Sequence, residues 1–262
     1  MQVFVAIRIS VLLSVTLTSM LVSKAFADTS ATAATSTVII DYHVKPENRV
    51  ALKNYMRRTG LARFEAMRRH GAIADYHILF NRYVDSDNWD MMAIISFSTN
   101  AQLSSWRGTE ETAPAGLSVI ALRIISSIHS APADLVRSEE GSPGSGARKP
   151  VYLVIPYSFR PSETEYAKYF DTYVAPEIDG WIKAGIVDRY ALYTARYGAA
   201  RPWRSMIIYQ YHGDEGLSRR SEAIAAVRAE LQRNPQWKAA SESKQSIREE
   251  LQAVVADELS GR

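Results

Sequence analysis

The sequence predicts an α+β protein built from two copies of one β-α-β-β-α-β unit, and three observations carry that prediction. Sliding the second half onto the first at an offset of 114 gives nine identities over the 34 positions 71–104, where composition alone would give roughly two. The matches are Gly71 with Gly185, Tyr76 with Tyr190, Arg82 with Arg196, Tyr83 with Tyr197, Trp89 with Trp203, Met92 with Met206, Ile94 with Ile208, Leu103 with Leu217 and Ser104 with Ser218. The two segments also run through the same order of hydrophobic periods, alternating strand-like and helix-like. Finally, residues 139–150, Glu-Glu-Gly-Ser-Pro-Gly-Ser-Gly-Ala-Arg-Lys-Pro, form a breaker-rich linker between them.

The first copy takes residues 37–138. Val38 to Val44 is a β-branched and aromatic run, read as a strand. Pro46 opens a helix carrying Val50, Leu52, Tyr55, Met56, Phe64 and Met67, broken near Gly60 and ended by Gly71. Strands follow at about Ile73 to Tyr83 and Trp89 to Phe97, joined by the turn-rich Asp85-Ser86-Asp87-Asn88. A helix starts near Asn100. After Pro114, Leu117, Ile120, Ala121, Ile124, Ile125 and Ile128 fall on one helical face, ahead of a short strand at about His129 to Val136.

The second copy takes residues 151–262 and repeats the order. Val151 to Phe159 is a strand, and Ser162 with Glu165 forms a capping box for a helix carrying Tyr166, Phe170, Tyr173, Val174, Ile178, Trp181 and Ile182. Pro176 should kink that helix and Gly185 should close it. Strands are expected at Val187 to Tyr197 and Trp203 to Tyr211, helices from Glu215 to Gln232 and Pro235 to Ile247, and a last strand at Leu251 to Leu259.

Ahead of the first copy, residues 1–27 read as a secretory signal. Arg8 supplies the positive charge, a largely apolar run extends from Ile9 to Val22, and Ala25-Phe26-Ala27 is a small-x-small cleavage pattern. The expected mature chain starts at Asp28, with 28–36 a flexible tail, in a secreted or periplasmic compartment and off the membrane. Without Arg8 and Lys24 the 31 basic residues become 29 against 28 acidic ones, so no basic surplus invites nucleic acid. The absence of cysteine excludes disulfides, thiolate nucleophiles and zinc-thiolate sites.

A β-α-β-β-α-β unit is the ferredoxin-like arrangement, an antiparallel sheet with helices on one face and the other face open. Two such units can close their open faces on each other. The duplication, the element order and the Tyr-Val-Ala-Pro-Glu-Ile-Asp-Gly-Trp stretch at 173–181 resemble the dimeric α+β barrel superfamily in fused form, and exported, uncharacterised tandem members of it with EthD-like or NIPSNAP-like architecture. The resemblance implies one intramolecular barrel over about residues 37–259 and a monomer, because the copies satisfy each other. Superfamily members include cofactor-free monooxygenases, haem-binding chlorite-dismutase-like enzymes and plain ligand binders, so the resemblance selects no activity.

Positions identical in both copies are first candidates for packing, among them Arg82 with Arg196 and Trp89 with Trp203. Strand alternation sends Ile39, Asp41 and His43, then Asp75, His77, Leu79 and Asn81, then Asp90, Met92, Ile94 and Ser96 into the barrel. In copy two the inward set is Tyr152, Val154 and Ser158, then Arg189, Ala191 and Tyr193, then Arg204, Met206, Ile208, Gln210 and His212. Asp41-x-His43 and Asp75-x-His77 each put a carboxylate and an imidazole on one strand face, where the acid can orient the base, so these four are the candidate catalytic residues. Asn81, Tyr152, Tyr193, Arg204, Gln210 and His212 are the candidate ligand contacts. His70 and His129 read as capping or surface residues. No metal site and no bound cofactor are expected, and the partner is a small molecule. The leading reading is an exported small-molecule binder. Its rivals are a cofactor-independent oxygenase or isomerase with a barrel His as general base, and a non-catalytic interaction protein with a closed barrel.

Overall fold

The computed structural model describes residues 36–141 and 149–260; the proposed signal, the tail up to residue 35 and linker residues 142–148 lie outside them. The first repeat runs β1 (Ser36–Val44), α1 (Arg49–Tyr55), α2 (Leu61–Arg69), β2 (Asp75–Asn81), β3 (Met91–Phe97), α3 (Asn100–Thr112), α4 (Val119–Leu122) and β4 (Ile125–Glu140). The second runs β5 (Val151–Phe159), α5 (Glu163–Tyr169), α6 (Ala175–Lys183), β6 (Val187–Ala195), β7 (Ser205–Tyr211), α7 (Gly213–Ser218), α8 (Arg220–Leu231), α9 (Pro235–Ile247), β8 (Arg248–Glu250) and β9 (Val254–Glu258). Within each repeat the strands order as last-first-third-second, all antiparallel: β4-β1-β3-β2 and β9-β5-β7-β6.

The repeats join through their last strands. β4 pairs with β1 of its own repeat and with β6 of the other, while β9 pairs with β5 of its own repeat and with β2 of the other. The sheet therefore closes into a barrel with no free edge between the copies, which removes unpaired backbone groups. Each seam carries the same ion pair. Arg82 Nε and Nη2 donate to Asp257 Oδ1 at 3.0 and 2.8 Å, and Arg196 Nε donates to Asp134 Oδ1 at 3.0 Å. The matched arginines are thus seam residues, each reaching the last strand of the opposite copy.

Three apolar clusters follow from strand alternation. Val38, Ile40, Tyr42, Ile78, Phe80, Ala93 and Ile95 meet Leu52, Met56, Phe64 and Trp106 of the first helical layer. Leu153, Ile155, Tyr157, Leu192, Ile207 and Tyr209 meet Tyr166, Phe170, Ile178, Trp181 and Trp237 of the second. Ile39, Leu79, Met92, Ile94, Tyr152, Val154, Tyr193, Met206 and Ile208 fill the barrel.

The duplication extends to backbone detail. A wide π turn interrupts the first long helix of each copy, at Met56–Gly60 and Phe170–Val174, 114 residues apart. In copy two it lets the chain pass Pro176, whose missing N–H sits in the first turn of α6, so the expected kink is absorbed there. Gly71 and Gly185 end these helices with φ of +71° and +68°. The Ser162–Glu165 capping box forms as expected.

Several expectations need correction. The isoleucine run after Pro114 is helical only over Val119–Leu122, Ile120 is exposed, and Ile125 and Ile128 belong to β4, opposite Val44 and Tyr42. Three-and-four spacing of β-branched residues fits either period, and pairing with β1 decides it. β4 is also longer than expected. Glu139 and Glu140, read as linker, pair with Tyr190 and Arg189, and Ser36, read as tail, opens β1. The expected last strand at 251–259 begins earlier and is broken. β8 and β9 both pair with β5, Glu250 opposite Tyr157 but Val254 opposite Val154, so one extra residue bulges between them. The expected helix at 215–232 is two, α7 and α8.

One slip recurs in both copies. Trp89 was expected beside Met91 on the helix side, and Asp90 and Arg204 inside the barrel. Instead Trp89 and Trp203 pack inside, while Asp90 pairs with Arg49 and Arg204 stacks 3.9 Å over Phe159, both on the helix side. Met91 and Ser205 also face the helices, Ser205 donating to the Tyr166 hydroxyl, so two consecutive residues turn the same way and alternation shifts by one.

Because Gly71 and Gly185 hold left-handed backbone, Gly71→Ala and Gly185→Ala should each lower stability by about 1 kcal/mol. Gly108→Ala, inside α3 with open space around it, should raise it by up to about 1 kcal/mol. Urea midpoints of the three variants check both signs.

Candidate functional site

Two chambers open at opposite ends of the barrel, with the packed middle between them. Along β5, Tyr152 lines one and Pro156 the other; along β7, Ile208 and Gln210 line one and Met206 the other. The equivalent pairs His77/Ala191 and Ile94/Ile208 lie at one end and Trp89/Trp203 at the other, so the pseudo-two-fold axis runs along the barrel. Tandem copies thus meet face to face at each mouth, and each mouth differs from perfect symmetry by a few residues.

The tryptophan end is the roomier, about 300 Å³, walled by Trp89, Trp203, Met206, Pro156, Pro202 and Leu251, with Asp41, His43, His129, Asp87 and Gln252 as polar groups. Asp41 points inward from the middle of β1, as expected. Its Oδ1 is buried with no hydrogen-bond partner among the described residues, and burial pushes its pKa up to about 7. The carboxyl therefore stays largely protonated until the pH approaches 7, and offers a proton below that. Asp41 and His43 do line the same chamber, but no hydrogen bond joins them. The ring of His43 instead meets His129 edge to face, centroids 5.4 Å apart. Burial and then the neighbouring His129 lower the His43 pKa, which keeps its imidazole neutral at pH 7. His129 stands opposite Asp41 in the β1–β4 ladder and lines the chamber, in contrast to the surface position its sequence context suggests. Its register could have been found only with β4 placed correctly.

The other end is narrow, about 40 Å³, and lined by His77, Ile94, Tyr152, Arg189, Tyr190, Ala191, Tyr193, Ile208 and Gln210. His77, Tyr152, Tyr193 and Gln210 face the barrel interior, as expected, and gather at this end. Asp75 does not orient His77: its carboxylate is exposed and 3.9 Å from Nε2. Glu258 of β9 takes that place, 2.7 Å from His77 Nδ1, while its other oxygen accepts from the Tyr152 hydroxyl at 2.8 Å. Tyr152 also reaches Gln210 Oε1 at 3.4 Å. The bond to Glu258 raises the His77 pKa against the opposing effect of burial. Burial pushes Glu258 up, but the bonds from His77 and Tyr152 outweigh it and hold its pKa low. The dyad crosses a seam, with the base on copy one and the acid 181 residues further on, on copy two. Residue spacing carries no signal for it.

His43 and His77 thus sit at opposite mouths and never converge. Three further expected contacts have structural partners. Asn81 is buried, its side chain bonded to Trp89 O and Tyr83 N, which fixes the hairpin. Arg204 donates to Phe159 O outside both chambers, and His212 Nδ1 lies 3.0 Å from Asp188.

No protein-family model matches the chain, and neither does any curated protein sequence. Solved structures do match. An anthrone oxidase-like protein superposes with a TM-score of 0.54 at 11% identity, covering 88% of this chain and 93% of its own. A provisionally assigned monooxygenase from Lactobacillus acidophilus NCFM gives 0.51 at 11% identity, covering 86% and 94%. A mutant chlorite dismutase from Candidatus Nitrospira defluvii, in complex with cyanide, gives 0.50 at 12%, covering 86% and 91%. At these identities the likeness establishes the fold: this chain is a dimeric α+β barrel with both halves in one polypeptide.

Haem, which the superfamily resemblance brings into question, does not fit the residues present. It needs a free axial ligand facing a wide pocket. His77 is engaged by Glu258 in a chamber of about 40 Å³, and the chamber that His43 and His129 line, about 300 Å³ between Trp89 and Trp203, lies at the lower end of small-molecule pockets and is too small for a macrocycle. Among the described residues no group of three His, Asp or Glu side chains could hold a metal ion.

Asp41 gives a test by pH. The folded state holds its proton up to about pH 7 and the unfolded chain loses it near 3.8, so stability falls as pH rises between those values. Asp41→Asn should match the wild type near pH 4 and exceed it by up to about 4 kcal/mol at pH 8. Denaturant titrations across that range read the difference.

Proposed function

We propose that the protein binds a small, partly aromatic, uncharged molecule in the tryptophan-walled chamber, without a tightly held cofactor. The observation that carries this reading is Asp41, a carboxyl kept neutral by burial in a chamber of about 300 Å³ between two indole rings. That size lies at the lower end of small-molecule pockets, and a few polar groups on apolar walls are their usual make-up. Neutral Asp41 donates, neutral His43 accepts, and Trp89 and Trp203 supply apolar walls for a ring. The chamber therefore favours phenols, quinones or similar hydrogen-bonding rings over ions.

Tryptophan quenching by a panel of phenols and quinones tests this. Binding should weaken about tenfold or more above pH 7 as Asp41 ionises, and Asp41→Asn should flatten that dependence. Quenching by none of the panel, or an unchanged pH profile in the variant, sinks the reading. Trp203→Ala should lose binding and also about 3 kcal/mol or more of stability, since the ring is 4% exposed.

A second reading, a cofactor-independent isomerase or oxygenase, is favoured by one observation. The His77–Glu258 pair has the arrangement of a general base held by a carboxylate, next to a cavity. Its chemistry would be proton abstraction by Nε2, with Arg189 near enough to the cavity to favour a developing anion. Deuterium uptake at the α-carbon of a small ketone, lost in His77→Ala, is the result it requires.

The same proposal makes the chain exported and monomeric. The charged, apolar and small-x-small order of residues 1–27 supports export, and closure of the barrel within one chain supports the monomer. A mature mass beginning at Asp28, and light scattering at the single-chain mass over a wide dilution range, are the expected results.

A further inference from the structure

A guanidinium without an anion among the described residues lies in the second repeat, away from both barrel chambers. Arg248 opens β8 and stacks over the ring of Tyr157 at 4.1 Å, with Tyr169 at 5.7 Å. Its Nη1 and the Tyr169 hydroxyl are both buried with no hydrogen-bond partner among the described residues. Buried charges are ordinarily paired, and leaving one unpaired is costly.

A cleft of about 220 Å³ adjoins it, lined by Tyr157, Tyr173, Arg228, Lys244, Gln245, Arg248 and Glu250. Arg228 is neutralised there, its Nε 2.7 Å from Glu177. Setting Lys244 against Glu250 leaves one uncompensated positive charge, that of Arg248. The duplication shows that the fold does not require it. Arg248 pairs with Phe159, and the corresponding pair of copy one is Ile125 with Val44, so the first repeat packs the same corner with an aliphatic side chain.

We propose that this cleft binds the carboxylate of a small aromatic acid, gripped by Arg248 and flanked by the rings of Tyr157 and Tyr173. A planar guanidinium suits a carboxylate, and a single surplus charge suits a monoanion better than a phosphate dianion. Benzene fills a cavity of about 150 Å³, so the cleft has room for one ring and its carboxylate. The site is separate from the tryptophan chamber and does not depend on that chamber's ligand.

Calorimetry of the mature chain with benzoate, benzyl alcohol and inorganic phosphate tests it. The expected result is benzoate binding at about 1 mM or tighter, at least about tenfold weaker for the other two, and at least about tenfold weaker benzoate binding in Arg248→Gln. Because the variant removes an unpaired buried charge, its thermal midpoint should not fall. Should Arg248→Gln fail to fold, Lys244→Gln at the cleft rim serves instead and should weaken benzoate several-fold. No benzoate binding, equal binding of benzyl alcohol, or benzoate affinity untouched by the folded variants overturns the proposal.

Discussion

Everything in this protein depends on where the last strand of each repeat goes. A four-stranded antiparallel sheet with helices on one side leaves an apolar face and an edge open to water, and a single repeat has nothing to cover them. β4 and β9 solve this by lying between the copies, hydrogen-bonded to their own repeat on one side and to the other repeat on the other. Once those seams are made, the inward-facing residues of both sheets have each other to pack against. The arginine–aspartate pairs at Arg82 and Arg196 fasten the two joints with the same chemistry.

Closure also decides where chemistry can sit. Ile39, Leu79, Met92, Val154 and Met206 fill the middle, so polar groups survive only toward the two mouths. Asp41 and His77, both on copy one and both pointing inward, are thereby parted. One remains a lone carboxyl among tryptophans, and the other meets a carboxylate from copy two. Copy two contributes its own feature in the helical layer, where Arg248 replaces an isoleucine of copy one. In each case the functional candidate is a departure from the repeat, and the matched residues are mostly those that hold the barrel.

Much of this was legible beforehand, for identifiable reasons. Period-two alternation put His77, Tyr152, Tyr193, Gln210, Asp41 and His43 on the inner face, because a pleated strand permits only two faces, but it could not say which mouth each would reach. It failed at Trp89, Asp90 and Arg204, where two consecutive residues at the start of β3 and β7 turn the same way and move the pattern by one residue. It could not find Glu258, since a contact across 181 residues is made by topology. Nor could spacing separate helix from strand for Ile125 and Ile128. That error hid the true length of β4, and with it the place of His129 opposite Asp41.

A pseudo-two-fold axis that runs through both mouths has one further consequence. In a homodimer, a pocket on the two-fold axis is forced to be its own mirror under rotation, so an unsymmetrical guest must lie in two superimposed orientations. Fusion lifts that constraint. With Asp41 facing Pro156 and His77 facing Ala191 across the axis, head and tail of a guest meet different walls, and a molecule without symmetry can be held in one orientation only.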